Sequence, residues 1–272
     1  MTTGILSAIL AMNEKLETSG LVIREIPVKE NNALLTVLTA TQGVITATAY
    51  GARKPGASLS AGTKLFNYAE FTFVESRGRY KVDAARGIES FFGLSRSVEA
   101  LSAASYFAEV LYDVCVAGQP DTQVLRLALN CLYALMTEKK PVALVKSVFE
   151  LRLLAESGFA PELDACAGCG CEETVLFSPE EACVLCAGCG QRSGLPVLPA
   201  PAGVRQAMRY IVSAPMAKIF AFSIGEASIR NLGTLCERYV RAQTGRKYES
   251  LNVYHALMDP VGDGGKNEPD SL

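Results

Sequence analysis

Residues 33–50, ALLTVLT-ATQG-VITATAY, contain two short runs rich in β-branched residues that meet at a Gln42-Gly43 turn. Runs of this length and composition are typical of neighbouring β-strands joined by a tight turn. Similar runs lie on both sides, at residues 20–26, 66–75 and 80–85. Five short strands in about 75 residues predict a small antiparallel barrel or sandwich over residues 17–90.

The periodicity changes after Ser97, where apolar residues begin to recur every three or four positions. Ser97 and Asp121 are suited to cap the helices that follow them, because their side-chain oxygens can accept free backbone N–H groups. A third helix, residues 142–157, begins after Pro141 and is apolar on nearly all sides, as in a helix buried within a domain. Two further helices are predicted at residues 202–212 and 224–244.

These patterns divide the chain into parts and predict an α+β fold. Residues 17–90 form the strand-rich part, and residues 91–258 form a helical part that contains a cysteine-rich segment at 160–198. Residues 1–16 are expected to be a loosely ordered leader, and the polar residues 259–272 a disordered tail. Strands and helices are therefore separated along the chain rather than alternating.

The bulk composition excludes several classes of protein. With 26 Lys+Arg against 28 Asp+Glu, the chain of 272 residues is no uniformly basic nucleic-acid binder, although a local basic face is compatible with these numbers. It has no run of 18 uncharged apolar residues and no cationic secretory leader, so we expect a cytoplasmic protein without a membrane partner. Nine cysteines, an odd number, argue against a fully paired secreted disulfide framework.

Six of the nine cysteines lie between residues 166 and 189, and the pentapeptide Cys-Ala-Gly-Cys-Gly occurs there twice. Two Cys-x-x-Cys pairs with 16 residues between them have the spacing of a closed four-thiolate metal site. Short knuckles with glycine favour Zn²⁺ over an iron–sulfur cluster. The predicted zinc ligands are Cys166, Cys169, Cys186 and Cys189.

Two other cysteines leave this ligand set open. Cys183 and Cys186 also have ligand spacing, and Cys171 follows the first pair directly. A redox Cys-x-x-Cys is the alternative to metal binding, but such a pair normally follows a strand at a helix N-terminus. Both pairs here are expected in glycine-rich turns, so we favour a metal site that holds a loop in place.

Residues 50–86 carry seven basic residues against three acidic ones, and aromatic residues lie between them. Basic side chains follow the phosphates of a nucleic acid, while exposed aromatic rings stack on its bases. Phe71 and Phe73, two positions apart on one strand, are expected in the core instead. The candidate nucleic-acid contacts are Arg24, Arg53, Lys54, Lys64, Arg77, Arg79, Lys81 and Arg86, with Tyr50, Tyr68 and Tyr80 for stacking.

A second basic group, consisting of Arg238, Arg241, Arg246 and Lys247, is expected to form a solvated helix face. No enzyme is predicted, because the segment 56–64 has the wrong spacing for a phosphate-binding loop and the common catalytic motifs are missing. The one histidine, His255, lies in an apolar helical context and is expected to be structural.

Several segments, in order along the chain, resemble the RecO family of bacterial recombination mediators. They are Gly20–Arg24, Gly51–Pro55, Phe149–Leu154, Gly158–Pro161, Leu163–Cys166, the two cysteine pairs and the segment 239–251. The resemblance covers roughly residues 17–258. The chain differs from the family pattern at Cys183, where glycine is usual, and in having an additional cysteine, Cys171.

The resemblance implies an N-terminal OB-fold, a helical domain and a zinc-stabilised insertion. It also implies binding of single- and double-stranded DNA, annealing of complementary strands, and help in loading RecA onto strands coated by single-strand-binding protein. Implied partners are RecR and the acidic C-terminal tail of single-strand-binding protein, at the nucleoid. From the residues alone, a zinc-ribbon RNA or transcription factor and a thiol oxidoreductase stay open as other classes.

Overall fold

The structure, a computed structural model, describes residues 15–258, so the predicted disorder of the tail 259–272 lies outside the described residues. The N-terminal part is a closed barrel with the strand order β1-β2-β3-β5-β4. Its strands are β1 (Lys15–Val28), β2 (Asn32–Thr39), β3 (Gly43–Ala49), β4 (Asn67–Ser76) and β5 (Arg79–Ser90). The five-stranded barrel expected from the sequence is therefore confirmed.

One pair of strands differs from the antiparallel arrangement that the strand pattern predicts. β3 and β5 pair in parallel, with Ala47 opposite Tyr80 and Thr48 opposite Lys81. The long loop after β3 carries the chain to the far side of β1, where β4 pairs with it. β5 then lies between β4 and β3 and closes the barrel. Because β5 is antiparallel to β4, it runs in the same direction as β3 and pairs with it in parallel.

β1 begins earlier than the sequence indicates. Lys15 lies opposite Val74 and Leu16 opposite Phe73, and the Leu16 side chain packs on the barrel core. These two residues belong to the barrel and not to a leader. The apolar alternation misses them because the polar residues 17–19 interrupt it.

The helical part has α1 (Val98–Val114), α2 (Thr122–Thr137), α3 (Val142–Glu156), α4 (Ala187–Ser193), α5 (Ala202–Ser213), α6 (Glu226–Thr244) and α7 (Glu249–Met258). Both predicted caps form, since the Ser97 hydroxyl accepts the N–H of Ala100 and the Asp121 carboxylate accepts the first free N–H groups of α2. α3 is buried on nearly all sides, as its composition predicts. No helix within residues 15–258 is long and apolar enough to cross a membrane.

One side of the barrel packs against the helices, while the barrel also has an apolar core of its own. Leu21, Ile23 and Leu38 of the barrel pack in the same cluster as Phe107 of α1 and Phe149 of α3. The cysteine-rich segment forms a separate three-stranded sheet of β6 (Leu176–Ser178), β7 (Cys183–Leu185) and β8 (Leu198–Pro199). Phe177 anchors this sheet, because its ring meets the ring of Tyr239 of α6 edge-on at 5.4 Å.

Candidate nucleic-acid interface and metal centre

Three of the predicted DNA-contacting cations lie at the turn between β4 and β5. Arg77, Arg79 and Lys81 are all exposed, and Arg79 pairs with Ser76 across the turn. Arg77 has a φ of 54°, in the left-handed region that few non-glycine residues adopt. Arg77 and Arg79 therefore flank Gly78 at this two-residue turn, and both side chains are exposed.

A second group of cations lies where the loop after β3 meets the turn between β1 and β2. Arg53 and Lys54 are exposed on this loop, and the Arg53 backbone N–H donates to the Asn31 carbonyl at 3.0 Å. That bond places the loop beside Lys29, an exposed cation with a φ of 55°. Lys29 is not among the cations predicted from the sequence, although two asparagines suited to a turn, Asn31 and Asn32, follow it closely.

The cations on these two loops, the barrel-loop cations, are not neutralised by a carboxylate within residues 15–258. Among residues 15–258, Arg53, Lys54 and the three cations of the β4–β5 turn form no salt bridge. The turns between β1 and β2 and between β4 and β5 are the loops with which OB-folds bind oligonucleotides. Polyanions can therefore reach this charge without first displacing an internal partner.

The other predicted cations are engaged with neighbours. Lys64 forms a salt bridge with Glu25 at 3.1 Å, and Arg86 forms one with Glu70 at 2.7 Å. The Arg24 guanidinium lies over the Tyr112 ring, 4.7 Å from its centroid. Because all three cations are exposed, such contacts hold them only weakly.

The three tyrosines predicted to stack on bases are not equivalent. Tyr50 is 62% exposed at the end of β3. The Tyr68 hydroxyl donates to the Ser19 hydroxyl at 3.0 Å, and the Tyr80 ring packs on the barrel core against Phe73. Tyr50 is therefore the one of the three with an open ring face. Phe73 and its neighbour Phe71 are buried, as predicted.

The cysteine pairs do converge. The sulfur atoms of Cys166, Cys169, Cys171 and Cys186 all lie within 4.8 Å of one another, and those of Cys169 and Cys186 are 3.8 Å apart. A tetrahedral ion with Zn–S bonds of about 2.3 Å requires sulfur–sulfur distances of about 3.8 Å. The donor set and its spacing thus fit a four-thiolate metal ion.

This set contains Cys171 where the sequence predicts Cys189. Cys189 packs in the same cluster, but its sulfur accepts a hydrogen bond from the Arg192 guanidinium at 3.4 Å. A β-carbon at Gly168 would lie 3.0 Å from the Cys189 sulfur. Glycine at this position therefore allows the first knuckle, residues 166–170, to approach the second, residues 186–190. Cys189 as a ligand stays a prediction. Cys183 lies on β7, outside the four-sulfur set.

Backbone N–H groups point at the sulfur atoms, as expected for a metal knuckle. The Cys186 N–H donates to the Cys166 sulfur at 3.3 Å. This bond is the main reason that the pKa of Cys166 falls to about 6, although burial opposes the shift. The thiolate is the form of cysteine that binds metal, so the local backbone favours a ligand at this position.

The sequence predicts a glycine-rich turn for the second cysteine pair, but the structure places this pair at the start of a helix. Cys186 follows β7 directly and is the N-cap of α4, where its sulfur accepts the N–H of Cys189. This is the position that redox pairs usually occupy. The sulfur atom 3.8 Å from that of Cys186 belongs to Cys169 of the other knuckle, which favours a shared metal ion over an isolated dithiol.

Comparison with known proteins agrees with this architecture. Residues 12–91 match the family described as Recombination protein O N terminal, and residues 95–252 match Recombination protein O C terminal. The DNA repair protein RecO of Acetivibrio thermocellus is 34% identical over 245 residues, covering 89% of this chain and 97% of that protein. The DNA repair protein RecO of Desulforudis audaxviator is 30% identical over 237 residues, covering 86% and 94%. This chain belongs to the RecO family.

Membership in the RecO family confirms the resemblance found in the sequence and supports a role in DNA repair. It identifies the closed barrel as the RecO N-terminal domain, in agreement with the expected OB-fold. It also agrees with the prediction that the chain is not an enzyme, because RecO proteins are DNA repair mediators.

Proposed function

We propose that this RecO-family chain binds single- and double-stranded DNA through the loops of its barrel. The observation that carries the proposal is the group of barrel-loop cations, which are exposed and form no salt bridge among residues 15–258. Cations that neutralise phosphates release counterions, which supplies affinity without reading sequence. Tyr50 adds a ring on which a base of a single strand can stack.

The proposal extends to recombination. Contacts made to phosphates leave base edges free, so two complementary strands held in this way can pair and anneal. With RecR, and with the acidic tail of single-strand-binding protein as a further partner, the chain would help RecA to load on coated single strands. Membership in the RecO family supports this role. The proposed location is the nucleoid in the cytoplasm.

Binding of a labelled single-stranded oligonucleotide, titrated between 50 and 200 mM salt, tests the proposal. If about four phosphates are neutralised, log K falls with log salt at a slope near −3. The variant R77Q/R79Q/K81Q should reduce this slope by about 2, since each lost phosphate contact removes about 0.7. A slope near zero for the unmodified chain contradicts the proposal.

A matched control removes the same charge elsewhere. Arg126, Lys139 and Lys218 are exposed on the helical part, so R126Q/K139Q/K218Q should bind DNA like the unmodified chain. Strand annealing in the presence of single-strand-binding protein should be weaker for R77Q/R79Q/K81Q than for the unmodified chain and unchanged for R126Q/K139Q/K218Q. Preference for structured RNA over single-stranded DNA would favour the RNA-binding alternative instead.

We further propose that the cysteine cluster holds zinc as a structural ion. Cys166, Cys169 and Cys186 supply three ligands, and the fourth is Cys171 or Cys189. When bound, the ion joins the two knuckles on either side of β6 and β7, which adds to local stability. All four positions are then filled by protein, so no water is activated.

Metal analysis of chain purified without chelator should give about one zinc per chain. The sulfur distances favour Cys171, so C171S should lose the ion and C189S should keep it. The opposite result restores Cys189 as the ligand. Absence of zinc, together with turnover of a disulfide substrate, contradicts the metal assignment.

A further inference from the structure

A pocket of about 390 Å³ lies between α6 and α7, on the helical part of the chain. Its lining includes the second basic group that the sequence suggests is only a solvated helix face. The cationic lining residues are Arg238, Arg241, Arg246 and Lys247, and His255 lies beside them. The structure therefore arranges these side chains around a concave surface.

Most of this positive charge is not neutralised within the fold. The one carboxylate in the lining, Glu237, is bonded to Lys146 at 2.7 Å and to His255 at 3.1 Å. Arg246 forms a salt bridge with Asp113 at 2.9 Å. In the part of the chain that the structure describes, Arg238, Arg241 and Lys247 form no salt bridge. These three residues are the free cations of the α6–α7 pocket.

The backbone holds the free cations in place. Arg238 and Arg241 are three residues apart on α6, so they lie on one face of that helix. Gly245, with a φ of 68°, ends α6 and redirects the chain toward α7. Lys247 follows in a loop that is fixed on both sides, because Arg246 and the Tyr248 hydroxyl both bind the Asp113 carboxylate.

The same loop joins this pocket to the barrel. Arg246, Lys247 and Tyr248 also line a cleft of about 510 Å³ that reaches Arg24 and Glu25 of β1. The cleft thus connects the helical part with a predicted DNA contact, Arg24. Its carboxylates are those of Glu25, Glu109 and Asp113, of which Glu25 is paired with Lys64 and Asp113 with Arg246.

We infer that the α6–α7 pocket is a second binding site for the sugar-phosphate backbone of a nucleic acid strand, separate from the barrel loops. Besides its cations, the exposed lining residues are Thr234 and Asn252, both polar. Point charges with polar neighbours suit repeating phosphates. Arginine clusters also recognise acidic peptides, so an acidic peptide is the competing occupant that the experiment must exclude. The inference rests on the proposed function and adds that one chain holds two strands at once.

Capture of a second strand tests the inference in the full chain. The protein is saturated with an immobilised oligonucleotide, and a labelled, non-complementary oligonucleotide is then added. The variant R238Q/R241Q/K247Q should bind the immobilised strand within two-fold of the unmodified chain but capture the labelled strand at least ten-fold more weakly. Arg246 is left unchanged because it pairs with Asp113.

The control R126Q/K139Q/K218Q removes equal charge from exposed residues that line neither pocket and should capture the second strand normally. Normal capture by R238Q/R241Q/K247Q, with unchanged thermal unfolding, overturns the inference. Loss of immobilised-strand binding in that variant, with normal binding by R77Q/R79Q/K81Q, would instead refute the barrel loops as the first site.

Competition by an acidic peptide shows whether the pocket binds a nucleic acid strand or a peptide. Decaglutamate should compete with the labelled strand only weakly, and its own binding should not depend on Arg238 and Arg241. If decaglutamate binds through these residues while oligonucleotides do not, the pocket is a peptide site and the inference is wrong.

Discussion

The barrel loops and the helical core hold their cations in opposite ways. Arg77 and Arg79 extend into solvent with no salt bridge among residues 15–258. Lys146 of α3 is buried and lies 3.0 Å from both carboxylate oxygens of Glu150 and 2.7 Å from Glu237. A cation enclosed by carboxylates is part of the fold, whereas an exposed cation without a partner remains available to a ligand.

The buried charges form a network that extends to the surface. The Tyr106 hydroxyl donates to Glu150 at 2.9 Å, and His255 meets Glu237 at 3.1 Å. This explains why His255, the one histidine of the chain, contributes to structure, in line with its apolar sequence context. α3, α6, α7 and α1 are thereby joined through polar contacts as well as through apolar packing.

The largest effect is expected from removing the buried cation. Lys146→Met should lower the free energy of unfolding by about 3–5 kcal/mol, because Glu150 and Glu237 lose their shared partner inside the protein. Urea unfolding measures this loss. DNA affinity of the folded fraction should stay unchanged. Lys139→Met, at an exposed position, is the control and should change stability by less than about 0.5 kcal/mol.

An unfolding free energy of Lys146→Met close to that of the unmodified chain would show that the buried pair is not part of the folding energetics. A loss of DNA affinity without a loss of stability would show that Lys146 acts on the ligand. Either result would remove the distinction between the two kinds of cation.

The second prediction concerns the open ring on the barrel. Tyr50→Ala should weaken binding of single-stranded DNA by about 1–3 kcal/mol, because a base loses its stacking partner. Equilibrium binding with a fluorescent oligonucleotide measures the change. Tyr68→Phe removes only a hydroxyl that is bonded to Ser19 and should bind DNA normally. Equal affinities for Tyr50→Ala and the unmodified chain would exclude Tyr50 from the interface.

Local features of the fold could be predicted from the sequence. The caps at Ser97 and Asp121 depend on side chains within three residues of the helix start, and the Gln42-Gly43 turn depends on its own backbone. Strand alternation likewise assigned Phe71 and Phe73 to the core. In each case the physical cause lies within a few residues of the pattern.

What the sequence did not predict depends on contacts between distant residues. The parallel contact of β3 with β5 follows from barrel closure and not from any motif. Cys171 enters the four-sulfur set only because the two knuckles fold together.

The smallest expected effect concerns pH and the buried network. Burial raises the pKa of Glu150 from its ordinary value of 4.5 to about 7, although Lys146 opposes the shift. The folded state therefore binds this proton more tightly than the unfolded state does. Its contribution to stability is complete below about pH 4.5 and is lost as pH rises toward 7.

The difference in unfolding free energy between the unmodified chain and Glu150→Gln should consequently shift in favour of the variant from pH 6 to pH 8, by on the order of 1 kcal/mol. Urea unfolding at several pH values measures it. The difference between His255→Gln and the double variant His255→Gln/Glu150→Gln should show the same shift, because this comparison does not involve the imidazole. A difference that stays constant across this range would mean that Lys146 keeps Glu150 ionised throughout. The core would then hold a permanent ion pair, and its contrast with the barrel-loop cations would be one of burial alone.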